Sequence, residues 1–323
     1  MKETYHLCLS SHDEVMFRSE QDLIIGFNYL AYSALETDSI LLADGFLSTH
    51  HHEVAVTDNP AYLAKRNRYA YTRYFNAKYH RKGSLGERAY FILKVEGLYH
   101  TQALMNYVIR QGLHHGIAST PFEYPHCSAN AYFRKELGKD YRPVLIDDRN
   151  RHSFIPYNTH LPLKYRMAKN GLLLREDIED TGYVEHVYVS ARNFLFQMNR
   201  ISDGKDIQEQ EKENSTPAIT LASVEKGVPA FDPSKAFIYE QGRVNRNRMT
   251  DIQLCKIIDN LILPSRYFRT GEESSVYLLP ERKRADIANS LLQESRAVQY
   301  LKCDSVFSEK TVTEDQIRRC LCL

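Results

Sequence analysis

Apolar positions at the start of the chain follow a strand-like pattern and then change to helical spacing. Residues 4–10 are rich in apolar and β-prone side chains, and a polar stretch follows them. From about residue 20 to residue 35, apolar residues recur every three or four positions, so that Leu23, Phe27 and Leu30 share one face. The pattern predicts a strand followed by a helix whose apolar face joins the core.

Three consecutive histidines interrupt the next apolar segment. Residues 40–43 and 46–56 are predicted to form two strands joined by a tight turn at Asp44-Gly45, because this dipeptide is typical of hairpin turns. Successive side chains of a strand point to opposite faces, so His50 and His52 are expected on one face, where two imidazoles make half of a metal site. A polar sheet edge is the alternative interpretation, and it explains three adjacent imidazoles less well.

The segment 59–86 contains no acidic residue, and its basic residues are interleaved with aromatic ones. Pro60 suits the first turn of a helix and Gly83 suits its exit. Basic side chains can follow a phosphate backbone and rings can stack on bases, so this helix is predicted to bind DNA, with a merely solvated face as the alternative. The predicted DNA-binding residues are Lys65, Arg66, Arg68, Arg73, Lys78, Arg81 and Lys82.

A strand over residues 88–96 and a helix over residues 98–115 are predicted next. Tyr107 and Gln111 are four residues apart, so a helix would place the phenol and the carboxamide one above the other. The alternative for Tyr107 is an ordinary aromatic at the edge of the core.

Composition limits the class of protein. The chain has 323 residues, 43% of them hydrophobic, which is enough for a core and for two domains. We expect a cytoplasmic protein without a membrane segment, because the sequence contains neither a signal-peptide pattern nor a long apolar run. The net charge of +1 does not itself indicate nucleic acid, and six scattered cysteines predict reduced thiols.

The second half of the chain is predicted to be mostly helical. A helical extension is expected over 141–201, although Pro143-Val144-Leu145-Ile146 has the composition of a strand. Residues 202–217 lack apolar content and are predicted to be a linker or mobile loop. The helices predicted over 218–323 resemble a helix-turn-helix appendage, with a purely structural cap as the alternative.

The order of these parts resembles a known family. The chain resembles the HUH single-strand DNA transposases with one catalytic tyrosine, including the REP-associated tyrosine transposases. The shared order is a strand, a helix, a strand, a His-x-His strand, a basic helix, a strand and a helix with Tyr-x-x-x-Gln. The resemblance covers residues 4 to about 138 and includes Phe75-Asn76 and the run 121–125, Pro-Phe-Glu-Tyr-Pro. It implies an α+β fold in residues 1–140, with a ferredoxin-like antiparallel sheet and helices on one face.

The resemblance also implies roles for individual residues. His50, His52 and Gln111 would bind Mg²⁺ or Mn²⁺, and Tyr107 would be the nucleophile. The partner would be single-stranded DNA that carries a hairpin, acted on by one chain or by a homodimer. The sequence departs from the family at His51, where an apolar residue is usual, and at Gln111-Gly112, where Asn-Pro is usual in the REP-associated branch.

The chemistry of these residue types is consistent with that function. A phenol with a pKa of about 10 is a poor nucleophile at neutral pH, and a divalent cation can bind and orient the phosphate that it attacks. A 5′-phosphotyrosine link and a free 3′-hydroxyl are expected, and the link allows strands to be rejoined. Two alternatives are a DNA-binding regulator that does not cut, suggested by His51 and Glu53, and a metal-dependent phosphoesterase that uses water.

Overall fold

The structure is a computed structural model. It describes residues 1–87, 89–139, 141–199, 239–240, 243–244, 248–262, 274–301, 307 and 310–323. The linker predicted over 202–217 lies outside the described residues, as does most of the segment that follows it.

A four-stranded sheet forms the centre of the fold. Its strands are β1 (Glu3–Ser10), β2 (Ile40–Phe46), β3 (His50–Thr57) and β4 (Phe91–Val95), and they lie in the order β2-β3-β1-β4. Every neighbouring pair is antiparallel. The predicted antiparallel sheet of an α+β fold is therefore present.

The turn between β2 and β3 lies later than predicted. Asp44 and Gly45 are inside β2, and the chain reverses at residues 47–49, where the backbone N–H of Leu47 donates to His50 O at 2.8 Å. Asp44 is fully buried and forms an ion pair with Arg175 at 2.7 Å, so its carboxylate has a partner inside the protein. A dipeptide that usually marks an exposed turn is here part of a buried strand.

Helices pack on both faces of the sheet, so the prediction of helices on one face is wrong. The helices α1 (Glu20–Glu36) and α2 (Pro60–Tyr79) share a core with Ala55 and the β1 residue Leu7. The opposite face carries α3 (Leu98–Ile109), whose Val108 shares a core with Val54. The physical reason is that adjacent residues of β3 are both apolar, which lets the strand bury both faces.

The helix predicted over 98–115 is divided. It leaves helical geometry at Arg110, where ψ is 8°, and continues as the short helix α4 (Gln111–His114). Tyr107 and Gln111 therefore belong to different helices, although the side-chain amide of Gln111 still donates to Tyr107 O at 3.2 Å.

The rest of the described chain combines helices with long irregular segments, and residues 141–174 contain no α-helix. Its longer elements are α5 (Arg175–Ile178), α6 (Thr181–Tyr188), α7 (Ala191–Asn199), α8 (Asp251–Ile262), α9 (Glu281–Leu301) and α10 (Glu314–Cys320), with a hairpin of β5 (Tyr239–Glu240) and β6 (Arg243–Val244). The strand predicted at 143–146 does not form, since Leu145 makes only an isolated bridge to Ala168. No helix among the described residues has both the length and the apolar character needed to cross a bilayer.

Candidate active site

His50 and His52 lie on the face of β3 that α3 covers, and both are buried. Their ring centroids are 5.0 Å apart. His51 points to the other face, where its ring stacks on Phe46. The two predicted ligands therefore lie on the same side of the sheet, as the alternation of side chains along a strand predicts.

Each of these two rings is oriented through its Nδ1 atom. His50 Nδ1 is 3.0 Å from Thr49 Oγ1, and His52 Nδ1 is 2.9 Å from Nε2 of His6 on β1. The Nε2 atoms of His50 and His52 make no hydrogen bond of ordinary geometry within the described residues. Burial lowers the pKa of both rings well below the usual value, so both are neutral and keep a lone pair for a metal ion.

Gln111 and Tyr107 approach this histidine pair from the helical side. Gln111 is buried, its Oε1 makes no hydrogen bond within the described residues, and its contact with His50 partly opposes the effect of burial on the pKa of that ring. The Tyr107 ring meets His52 edge-on, with centroids 5.2 Å apart, and lies 5.7 Å from His114. The four predicted site residues are therefore brought together.

Gly45 makes this approach possible. A Cβ atom at Gly45 would lie 2.4 Å from Val108 O and 3.5 Å from Gln111 Cβ. Since Gly45 is paired with His52 across the β2–β3 ladder, the absent side chain lets the helical segment reach the histidines.

The donor atoms at the site fit a divalent cation. His50 Nε2, His52 Nε2 and Gln111 Oε1 are buried polar atoms that make no hydrogen bond of ordinary geometry within the described residues, and all three can act as neutral metal ligands. No group of three or more His, Cys, Asp or Glu side chains in the described part of the chain has the arrangement of a metal site. The ligand set would thus depend on a carboxamide, as the resemblance implies.

Three histidines at the site were not among the predicted site residues, and one of them is His114 beside Tyr107. His6 stacks on His52 with centroids 5.1 Å apart, and His115 lies 5.0 Å from His50. His6 reaches the site because β1 pairs with β3, a register that the sequence of β1 does not reveal. His115 reaches it because the helix divides at Arg110.

The predicted DNA-binding helix α2 is not part of this site, because it packs with α1 on the opposite face of the sheet. Several of the predicted DNA-binding cations, which lie on α2 or just after it, have partners inside the protein. Lys78 pairs with the buried Asp22 at 2.7 Å, Arg81 with Glu14 at 2.5 Å and Arg66 with Glu36 at 2.5 Å. The Arg68 side chain donates to the backbone of Leu85 at 3.1 Å, Arg73 lies over the Tyr69 ring, and Lys65 and Lys82 are exposed.

The C-terminal part of the chain closes one side of the site. Ser48 donates to Asp251 at 2.7 Å, and Arg319 donates to the same carboxylate at 3.1 Å. The charge of Arg319 adds to the effect of burial in lowering the pKa of His50. We call residues 248–251 together with α10 the C-terminal cover. Tyr107 itself is only 7% exposed, among His6, His52 and His114.

Comparisons with known proteins give a distant likeness. No protein-family model and no curated protein matches the chain. A solved structure described as a REP-associated tyrosine transposase bound to a REP hairpin is 10% identical, with a TM-score of 0.36, and the match covers 50% of this chain and 95% of that one. At this identity and TM-score, the likeness by itself assigns neither fold nor function.

Proposed function

We propose that this chain is a metal-dependent transferase of the HUH type, which cleaves and rejoins single-stranded DNA through a 5′-phosphotyrosine at Tyr107. One observation carries the proposal. The Tyr107 ring lies edge-on against His52, His52 lies against His50, and Gln111 lies close enough to His50 to raise its pKa. A nucleophile next to three neutral donors is the arrangement that tyrosine-mediated phosphoryl transfer requires.

The sheet is consistent with the family named from the sequence. The element order β1-α1-β2-β3-α2-β4 and the strand order β2-β3-β1-β4 support a ferredoxin-like sheet as part of the proposal. We include this fold in the proposal, with α3 added on the second face to carry Tyr107.

The reaction balances as a transfer between two oxygen atoms. The Tyr107 phenol loses its proton, its oxygen bonds to phosphorus, the bond from phosphorus to the 3′-oxygen breaks, and that oxygen takes up a proton. Attack by a 3′-hydroxyl on the phosphotyrosine reverses these changes and rejoins the strand. When bound, Mg²⁺ or Mn²⁺ would stabilise the negative charge that develops on the phosphate.

The chain's own residues would position the reacting groups. His50, His52 and Gln111 would hold the cation, and His6 and Thr49 orient the two imidazoles through their Nδ1 atoms. Burial lowers the pKa of His114 to about 3, so this imidazole next to Tyr107 is neutral at pH 7 and is too weak a base there to hold the phenol proton.

A covalent-adduct assay tests the proposal. Protein, Mn²⁺ and a hairpin-bearing single strand, labelled on the 3′ side of the cut, should give a product that survives denaturing electrophoresis. Tyr107→Phe removes the attacking oxygen and keeps the ring, so it should abolish the adduct, whereas Tyr99→Phe on the same helix should not. Binding without an adduct would indicate a regulator, and cutting that survives Tyr107→Phe would indicate a phosphoesterase that uses water.

The same assay distinguishes one chain from a homodimer. Tyr107 contacts His52 of its own chain, so we propose that it acts within that chain. A mixture of Tyr107→Phe and His50→Ala should then remain inactive. Recovery of the adduct in the mixture would show that Tyr107 attacks across a dimer.

A further inference from the structure

A second cluster of buried polar groups lies on the other face of β3, behind the candidate active site. His51 and Glu53 point into the layer formed by the sheet and α2, where they meet Asn67 of α2 and Tyr90, which precedes β4. His51, Glu53 and Asn67 are 3%, 0% and 2% exposed. The proposed DNA chemistry uses none of these four residues.

Three polar groups converge on one ring nitrogen. His51 Nε2 lies 3.0 Å from Tyr90 Oη, 3.1 Å from Glu53 Oε2 and 3.2 Å from Asn67 Nδ2. An imidazole nitrogen acts either as one donor or as one acceptor, so it can satisfy only one of these neighbours. Asn67 Nδ2 also donates to Tyr90 Oη at 3.4 Å, so the Glu53 carboxylate is the group that hydrogen bonding within the described residues leaves incompletely paired.

The Glu53 carboxylate has the fewest hydrogen-bond partners for its charge. Neither oxygen of Glu53 receives a hydrogen bond of normal geometry within the described residues, and Asn67 Oδ1 is also without a partner. The nearby charge of Asp44 further disfavours a negative charge on Glu53. Among the described residues, His51 is the group that favours that charge. A fully buried carboxylate with so few partners is costly unless a cation or a proton neutralises it.

We propose that His51, Glu53, Asn67 and Tyr90 form a second metal site, which binds one divalent first-row transition ion such as Mn²⁺. Imidazole nitrogen, carboxylate, carboxamide and phenol oxygens are ligands that such ions accept. A half-turn of the Asn67 carboxamide would direct its oxygen to the ion. Adjacent ligands of an octahedral ion with bonds of about 2.1 Å lie about 3.0 Å apart, close to the separations around His51 Nε2.

The surroundings hold the central ligand in place. The His51 ring stacks on Phe46 at 4.9 Å, with an angle of 8° between the rings, and meets Phe17 edge-on at 6.0 Å. A bound ion would connect β3 to α2 and to the segment before β4. Because the ligands lie on opposite faces of β3, this site and the one at His50 and His52 would bind metal independently.

The test counts bound Mn²⁺ by electron paramagnetic resonance on the full-length protein, after removal of metal with a chelator. The unmodified protein should bind two ions per chain, and His50→Ala with His52→Ala should bind one. Adding Glu53→Gln to that pair should leave none, and Glu53→Gln alone should leave one. If the proposed active site binds no metal, the unmodified protein would still bind one ion, and Glu53→Gln would remove it.

Two further measurements keep the test decisive if Glu53→Gln does not fold. Tyr90→Phe removes one ligand from a partly exposed ring and should weaken Mn²⁺ binding about tenfold or more, whereas the matched change Tyr5→Phe on β1 should not. The ion retained by the double histidine variant should show coupling to a single imidazole nitrogen. A folded double variant that binds no Mn²⁺, or an ion without nitrogen coupling, would overturn the proposal and leave Glu53 neutralised by a proton.

Discussion

His6 and His52 share a hydrogen bond across the β1–β3 ladder, with His6 Nε2 2.9 Å from His52 Nδ1. The bond fixes which nitrogen of His52 faces the candidate metal site. Burial lowers the pKa of His6 to about 3, so the two buried rings share this contact as neutral imidazoles. His6 would thus be a positioning residue for a ligand rather than a ligand itself.

His6→Ala should therefore weaken the first metal site by about 10- to 100-fold, since groups that orient a ligand typically contribute that much. The measurement is the Mn²⁺ concentration that gives half-maximal adduct, which should rise while the adduct yield at excess Mn²⁺ recovers. His6→Gln keeps a hydrogen-bonding group, so its Mn²⁺ requirement should lie between those of the unmodified protein and His6→Ala. An unchanged Mn²⁺ dependence in His6→Ala would remove His6 from this role.

Gln111→Ala should also raise the Mn²⁺ requirement, because it deletes the carboxamide oxygen that lacks a partner in the described structure. Adduct formation should fall at limiting Mn²⁺ and be partly restored at higher concentrations. Gln102→Ala, on the preceding helix α3, is the matched control and should match the unmodified protein. Equal losses in both variants would mean that the effect comes from helix stability.

Gly45→Ala should destabilise the fold and distort the site together. The added Cβ would lie 2.4 Å from Val108 O, a backbone atom that can move only with α3. We expect a loss of about 2–3 kcal/mol in the free energy of unfolding, measured by urea denaturation. Gly182→Ala meets only Asp180 Oδ1 at 3.7 Å, so it should change stability little. A neutral Gly45→Ala would contradict the close packing of β2 against α3.

The DNA-binding role of α2 can be tested without disturbing its ion pairs. Lys65 and Lys82 are exposed, so replacing both with Gln should change stability by no more than about 0.5 kcal/mol. If both contact phosphates, the slope of log affinity for single-stranded DNA against log salt concentration should fall by roughly 1.4. An unchanged slope would show that this helix, on the face away from Tyr107, is only solvated.

Acid should weaken the contact that attaches the C-terminal cover. Burial by itself would raise the pKa of the Asp251 carboxyl, but the Arg319 charge and the Ser48 hydrogen bond lower it below the ordinary 3.8. A carboxyl whose pKa is lower in the folded state than in the unfolded state stabilises the fold at pH values above the unfolded-state pKa. That contribution is lost as the pH falls through the folded-state pKa.

Asp251→Asn should thus cost about 1.5–3 kcal/mol of unfolding free energy at pH 7, and the difference from the unmodified protein should shrink as the pH falls below 3.8. Urea unfolding at several pH values measures it. Asp286→Asn, at an exposed carboxylate, is the control and should show no comparable difference. A cost that is independent of pH would mean that the Asp251 charge does not stabilise the cover.

Local patterns in the sequence were enough to place part of the site. The alternation of a strand puts His50 and His52 on one face, and the spacing of four puts Gln111 near Tyr107 even though the helix divides between them. The predicted helix start at Pro60 is also present, because its cap, Asn59, is a neighbour in sequence. These features depend on interactions within a few residues.

Features that depend on distant residues were not predictable in the same way. His6 reaches His52 through strand pairing over 46 positions, and Asp44 is part of β2 because Arg175, far along the chain, neutralises it. The charge pattern of α2 suggested a DNA-binding surface, but the apolar residues of α2 pack it on the face of the sheet opposite Tyr107. Nothing in the local sequence of α2 specifies which face it covers.

The closed position of the C-terminal cover has a consequence for substrate choice. Arg319 of the cover lies near enough to His50 and His115 to lower the pKa of both, so under the proposed function a strand that reaches His50 from this side would have to displace the cover. Apparent affinity would then be reduced to the fraction of molecules in which the cover is open, and the other contacts of the strand would have to supply the free energy of opening. Short or unstructured strands would then be spared, and mutations that loosen Ser48 from Asp251 would broaden the range of DNA attacked without touching a reacting group.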